Sequence, residues 1–295
     1  MQRSDETEPT PALEGRVALV TGASSGVGFE TARELAMRGA TVVILCRDAG
    51  RGEAARARIV AESSNDRVEL LLADMGVQAE VRRAAAEFRA RHDRLHILVN
   101  NAGAIQRRRD LTVDGIERTF ATNHLGTFLL TTQLLDVIRA SAPARVVTVG
   151  SSSHAREPLD FADLETVEGW AGMRAYGRSK LANVMFSHEL ARRLEGSRVT
   201  SNAMHPGLVA TNFGRGVRWV RWGIAVARWF MVSPRDAGAD VAYLATAPEL
   251  EGVTGRYFVR REQQASSEFS QDEQAQQRLW TASEVLVARS AVAAR

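Results

Sequence analysis

The sequence predicts an α/β fold: a single domain built on a doubly wound parallel sheet of about seven strands, with helices on both faces. Three observations predict it. Short β-branched, apolar runs alternate with amphipathic stretches of helical period. A glycine-rich turn joins the first such run to the first helical stretch. Neither an internal repeat nor a long low-complexity tract divides the 295 residues, a length that single α/β domains commonly reach.

In chain order, the strand candidates are Val17–Val20, Thr41–Leu45, Val68–Leu72, Ile97–Val99, Val146–Val149 and Val199–Ala203. Between them lie helix candidates near Phe29–Arg38, Arg51–Glu62, Val77–Arg91, Val113–Ile138 and Ser179–Leu194. The domain is expected over residues 14–289, with residues 1–13 and 290–295 loose at the two ends. A hydrophobic fraction of 45% suits a chain that buries a sizeable core. Cys46 is the only cysteine, so no intrachain disulfide forms, which fits a reducing cytoplasm. The polar start, with Asp5, Glu6 and Glu8, lacks the apolar core of a signal peptide. No run of roughly 18 uncharged apolar residues is present to span a membrane. A net charge of +3 argues against a nucleic-acid partner, and Arg107-Arg108-Arg109 is too short a basic run to supply one.

The first strand runs into Thr21-Gly22-Ala23-Ser24-Ser25-Gly26-Val27-Gly28, where a helix begins. Strand, glycine-rich turn and helix make a Rossmann-type dinucleotide site: glycines let the backbone approach a pyrophosphate, and the helix N-terminus offers unpaired N–H groups. The spacing is G-x-x-x-G-x-G, not the common G-x-G-x-x-G. After the second strand come Arg47 and Asp48. An acid there suits the ribose 2′-OH of NAD, and an arginine suits the 2′-phosphate of NADP. Arg47 is favoured as the phosphate reader, with Asp48 in the following turn. Asp74 and Met75 follow the third strand, and Asn100-Asn101-Ala102-Gly103 closes the fourth. Strand ends of a doubly wound sheet line the ligand crevice, where such residues could contact adenine and ribose; Asp74 could equally cap a turn.

Tyr176-Gly177-Arg178-Ser179-Lys180 carries the chemistry. Tyrosine and lysine four apart share one helix face. A neighbouring ammonium stabilises a phenolate and is expected to lower the phenol's pKa toward neutrality. Lys180 is the only lysine among 38 lysines and arginines. A chain that uses arginine for every generic cation keeps lysine where a compact, rotatable ammonium is needed. At the end of the fifth strand, Ser151, Ser152 and Ser153 offer hydroxyls for a substrate oxygen, and spacing alone does not choose among them.

Together these residues resemble the short-chain dehydrogenase/reductase family over roughly residues 13–286. The resemblance rests on T-G-x-x-x-G-x-G at Thr21–Gly28, N-N-A-G at Asn100–Gly103, Y-x-x-x-K at Tyr176–Lys180 and Pro206-Gly207. It implies that Ser151, with Ser152 as fallback, polarises the substrate carbonyl and that Tyr176 exchanges the proton. Lys180 would bind the nicotinamide ribose and tune Tyr176. Asn123 would hold a water that links Lys180 to solvent. Pro206, Gly207, Val209 and Thr211 would lie along the nicotinamide carboxamide. The implied cofactor is NADP(H), and the implied reaction interconverts an alcohol and an aldehyde or ketone.

Finer features are similar to the retinol dehydrogenase-like branch: Cys46-Arg47-Asp48, Asn123-His124-Leu125-Gly126, Ser179-Lys180-Leu181-Ala182-Asn183, His205-Pro206-Gly207 and an insert around Ala155–Trp170. In that branch the arginine after the second strand determines NADP use. Gly150 departs from it, since many relatives have serine there, and the branch's frequent N-terminal membrane anchor is not recognised in this sequence. The resemblance suggests a homodimer or homotetramer formed through the two long central helices. Phe213–Val232 interleaves Trp219, Trp222, Trp229 and Phe230 with arginines. By resemblance it is a substrate lid (residues 212–232) over an apolar substrate; a helix resting on an anionic membrane surface and a core-packing helix are the other readings. The histidines form no metal-ligand pattern, so no metal is expected. A rival of another class is a non-catalytic NADP(H)-sensing protein on the same fold. Ser151, Tyr176, Lys180 and Asn123 together argue against it.

Overall fold

A computed structural model of the chain describes residues 13–207 and 232–293. Valine, isoleucine and leucine dominate β1 (Val17–Thr21), β2 (Thr41–Cys46), β3 (Val68–Leu72), β4 (Ile97–Asn100) and β5 (Ala144–Val149). Side chains alternate across a strand, and here both faces are covered, which is why these runs are apolar on both sides. On β1, Leu19 enters one core while Ala18 and Val20 enter the other.

The strands form one sheet in the order β3-β2-β1-β4-β5-β6-β7-β8, where β6 is Val199–His205, β7 is Tyr257–Val259 and β8 is Glu262–Gln264. Strands β1 to β7 pair in parallel; β8 turns back antiparallel on β7. The sequence predicts about seven strands, and the eighth is a short, polar, fully exposed edge strand with no hydrophobic signal to reveal it. On one face pack α1 (Gly26–Met37), α2 (Ala49–Ser63) and α8 (Pro234–Thr246), through Phe29, Leu35, Ile59 and Val241. The other face is covered by α3 (Gln78–Arg91) through Phe88, and by helices introduced below. The chain enters the sheet at β1, winds outward to β3, and returns to place β4 against the other side of β1. That reversal opens a crevice at the carboxyl ends of β1 and β4.

Two predicted helices are redrawn. Residues 113–117 are not helical: Thr112 N donates to Ile116 O at 2.8 Å and Gly115 N to Thr112 O at 3.0 Å, closing a turn. The buried Glu117 carboxylate then accepts from Phe120 N at 2.7 Å and caps α4 (Arg118–Phe120). A π-helical turn (Ala121–Leu125), α5 (Gly126–Gln133) and α6 (Leu135–Ala140) follow. In the same way, α7 (Gly172–Arg193) starts at Gly172, not Ser179. Its first turns lack apolar periodicity. They are held instead by polar ties such as the buried Arg178, whose Nη1 donates to Asp163 O at 3.3 Å. The fold ends in α9 (Glu268–Gln271) and α10 (Glu273–Ala293), which lays Leu279 and Trp280 on α7 and α5. Among the described residues, no helix is long and apolar enough to cross a membrane. Residues 1–12 and the predicted lid up to residue 231 lie outside the described residues.

Candidate active site

The glycine-rich turn is seated by its neighbours. Thr21 Oγ1 accepts from the backbone N–H groups of Asn101 and Ala102, both at 3.0 Å, and donates to Val99 O at 3.3 Å. Asn101 Nδ2 donates to Thr21 O at 2.8 Å and to Gly22 O at 3.3 Å. The predicted N-N-A-G segment therefore holds the turn in place, beyond any contact it makes with a nucleotide. A Cβ on Gly28 would stand 2.4 Å from Asn101 Nδ2 and 2.7 Å from Gly22 O, so only glycine fits. A Cβ on Gly26, at φ +63°, would meet nothing within 4 Å, which leaves that side of the turn open. Ser25 is the N-cap residue of α1 but makes no side-chain cap, and the first turn carries no acid. Ser24, Ser25 and Val27 complete this turn. An uncapped 12-residue helix start beside an open glycine turn fits a dinucleotide's pyrophosphate.

Beyond β2, Asp48 is the N-cap of α2, its carboxylate accepting from Arg51 N at 2.8 Å. This leaves Arg47 as the cation at the crevice edge, its side chain 64% exposed and 3.8 Å from Asp74. Asp74 caps its own turn by accepting from Gly76 N at 2.9 Å, and Arg118 approaches it at 3.8 Å as well. Asp74 thus closes its turn, as one of its two readings expects, and sits between two guanidiniums. Met75 beside it is buried in the core.

The catalytic candidates converge across β4, β5, α7 and the π-helical turn. Of the three serines, Ser152 is exposed and Ser153 is buried, while Ser151 is hydrogen-bonded to Tyr176. Ser151 Oγ also accepts from Ser153 N at 3.2 Å. Lys180 is 3% exposed; its Nζ donates to Val149 O at 2.8 Å and lies 5.7 Å from the centre of the Tyr176 ring. Burial pushes the Lys180 ammonium down to about 8. Tyr176 departs from the sequence expectation: burial raises its phenol above the ordinary value, and the Ser151 hydrogen bond opposes that shift. Desolvation of the phenolate outweighs the stabilisation the sequence led one to expect.

Asn123 has a structural role that its motif does not announce. Its Nδ2 donates to Ala104 O at 3.0 Å and to Ser179 Oγ at 2.9 Å, while its Oδ1 accepts from Ala104 N at 2.7 Å. Both amide hydrogens are committed, so the side chain braces the N-N-A-G segment against α7. Gly103 lies where a Cβ would be 3.3 Å from Lys180 Nζ and 3.4 Å from Asn123 Oδ1, which places it at the junction. Pro206 and Gly207 follow β6, and Val209 and Thr211 lie outside the described residues.

Sequence reasoning missed two participants. His154, buried at 5% exposure, donates from Nδ1 to Ser151 O at 2.7 Å; its i, i+3 spacing from Ser151 was the available signal. Glu117, wholly buried, accepts from Phe120 N, from Thr119 Oγ1 at 2.8 Å and from Trp170 Nε1 at 3.3 Å, tying the Ala155–Trp170 insert to the helix that carries Asn123. A cleft of about 810 Å³ lined by His188, Arg192, Arg198, Arg256 and Gln276 contains none of the predicted site residues. Among the described residues, no group of histidines, cysteines and acids could hold a metal ion.

Comparison with known proteins agrees with this geometry. Residues 16–219 match the family described as short chain dehydrogenase. The chain is 40% identical to human (Homo sapiens) retinol dehydrogenase 13 over 290 residues, 96% of this chain and 88% of that one. An uncharacterized protein from Mycobacterium Paratuberculosis aligns with TM-score 0.77 and 33% identity, covering 95% of this chain and 96% of its own. A short chain dehydrogenase from Burkholderia cenocepacia J2315, solved in complex with NADP, aligns with TM-score 0.69 and 30% identity over 84% of this chain and 96% of its own.

Proposed function

Because the chain belongs to the short-chain dehydrogenase family, we propose that it interconverts an alcohol and an aldehyde or ketone on an apolar substrate, with NADP(H) preferred. The convergence of Ser151, Tyr176 and Lys180 beside an open glycine-rich turn carries this reading. Gly22, Gly26 and Gly28 with the α1 terminus hold the pyrophosphate, and Arg47 pairs with the 2′-phosphate. A bound nicotinamide dinucleotide supplies or takes the hydride.

The chain's own groups handle the oxygen and its proton. Ser151 donates a hydrogen bond to the substrate carbonyl, and Tyr176 transfers the proton to or from that oxygen. With a pKa near 8, Lys180 is mainly an ammonium at neutral pH. Of its three donors one is given to Val149 O, and the others serve a ribose hydroxyl and the field that favours the Tyr176 phenolate. Asn123 holds the Lys180 side of the site rigid through Ala104 and Ser179. The names of retinol dehydrogenase 13 and of the NADP-bound Burkholderia protein support an apolar substrate and NADP(H) respectively.

The test follows NADPH and NADH absorbance against hydrophobic aldehydes, ketones and alcohols, retinal and steroids included, with Tyr176→Phe alongside. The expected result is NADPH-dependent turnover that falls on the order of 10²-fold or more in the variant. NADPH binding without turnover of any carbonyl would point to a sensor instead, and preference for NADH would remove the role given to Arg47.

A further inference from the structure

The turn that presents Ser151 has a brace of its own. Ser151 O accepts from the backbone N of His154 at 3.1 Å and from His154 Nδ1 at 2.7 Å. On the far side of the ring, His154 Nε2 accepts the backbone N–H of Ser267 at 3.0 Å. A backbone N–H can only donate and a carbonyl can only accept. The imidazole is therefore neutral, with its hydrogen on Nδ1. Tyr257 packs against the ring at 4.8 Å between centroids, fixing its plane. The Ser267 end is itself secured: His188 Nδ1 donates to Gly255 O at 3.1 Å, and its Nε2 accepts from the hydroxyl of Ser266 at 3.2 Å. Two neutral histidines thus clasp successive residues of the segment before α9, and one of them reaches Ser151.

We propose that His154 is a positioning residue of the reaction, locking the Ser151 backbone, and through it the hydroxyl that bonds Tyr176, to the segment at Ser267. The proposal rests on the reading that Ser151 and Tyr176 carry the chemistry. The donor on Nδ1 holds Ser151 directly, and the acceptor on the far side of the rigid ring anchors that hold to Ser267, so the donor matters most to the reaction. Asparagine reproduces only the donor toward Ser151, and glutamine only the acceptor toward Ser267. Displacing a reacting group by about 1 Å can cost about 10²-fold in rate.

The experiment compares His154→Leu, His154→Asn and His154→Gln with the wild type in kcat, in KM for NADPH and in Tm. In parallel, ¹³C NMR of ring-labelled tyrosine follows the Tyr176 phenol, one of three tyrosines and assigned by Tyr176→Phe. His154→Leu is expected to lower kcat about 10- to 100-fold with KM for NADPH within about twofold, and to raise the Tyr176 titration as the Ser151 bond loosens. His154→Asn restores most of kcat and of the titration; His154→Gln does not. The proposal is overturned if folded His154→Leu keeps wild-type kcat, or if the asparagine and glutamine variants lose activity equally and in step with Tm. Full turnover in Tyr176→Phe would sink the catalytic reading itself. The titration still decides the brace in that case, because an unmoved Tyr176 in His154→Leu shows that His154 does not position Ser151.

Discussion

Replacing Lys180 by methionine should abolish turnover and yet stabilise the protein at neutral pH. The folded protein holds Lys180 near 8, while the unfolded chain returns it to 10.5. Between those values the unfolded state binds more protons, so the contribution of this group to stability rises with pH across the window. At about 1.4 kcal/mol per pH unit, burying the ammonium costs about 3 kcal/mol at pH 7. Methionine removes that cost and also the hydrogen bond to Val149 O, worth about 1 kcal/mol. Lys180→Met should therefore gain about 2 kcal/mol at pH 7, and most of this gain should be gone by about pH 9.5, where the wild-type amine is already neutral when folded. Urea unfolding of both proteins at the two pH values measures this, and the difference between them cancels every titrating group they share. A variant whose stability relative to wild type is the same at both pH values would refute the reasoning.

Arg47→Ser should cut kcat/KM for NADPH about tenfold or more and leave NADH within a few-fold, as read from the ratio of the two in one assay. Gly28→Ala drives a Cβ into Asn101 Nδ2 and Gly22 O, at 2.4 and 2.7 Å. Calorimetric titration with NADPH should show affinity lost by at least about tenfold, while Gly50→Ala, with only Asp48 Oδ1 nearby at 3.7 Å, should bind normally. Asp240, 2% exposed, accepts from Arg260 Nε at 2.8 Å and Arg261 Nε at 2.7 Å, so Asp240→Ala should cost about 2 kcal/mol in denaturant unfolding without changing KM for NADPH. Lys180→Arg should not restore activity to the Lys180 position and should unfold more readily than Lys180→Met at every pH tested.

Much of the fold was legible because local pattern and tertiary demand coincide. A strand buried on both faces must be apolar throughout, so β1 to β5 announce themselves in composition. What escaped had no such coupling. The β8 edge is polar and exposed, and it exists only because β7 offers it a partner. The helix expected from Val113 fails because a turn and the Glu117 cap, both set by packing against the Ala155–Trp170 insert, delay its start. The motif residues were found by spacing or, for Ser151 and Asn123, by resemblance, but their hydrogen-bond partners were not. Asn123 gives no hint in its motif that both its amide hydrogens go to Ala104 and Ser179. Tyr176 reads as acidified until the burial of its phenol is seen. His154 shows no sign of its second partner, because Ser267 lies 113 residues along the chain.

The solitary lysine joins composition to mechanism. Wherever this chain needs a cation for solvation or pairing it uses arginine, and Arg260 and Arg261 flanking Asp240 are examples. At residue 180 the surroundings forbid that choice in two ways. Nζ lies 3.3 Å from where even a Cβ on Gly103 would stand, in the segment that Asn123 braces, so the larger guanidinium would crowd that segment. A guanidinium also stays charged at every accessible pH, so its burial cost would never be relieved. An amine pushed to about 8 sits close enough to neutrality to stay charged for binding and still exchange a proton. The same burial that makes Lys180 destabilising makes it titratable in the working range, so an energetic cost to the fold and an adjustable chemical group reside in one side chain.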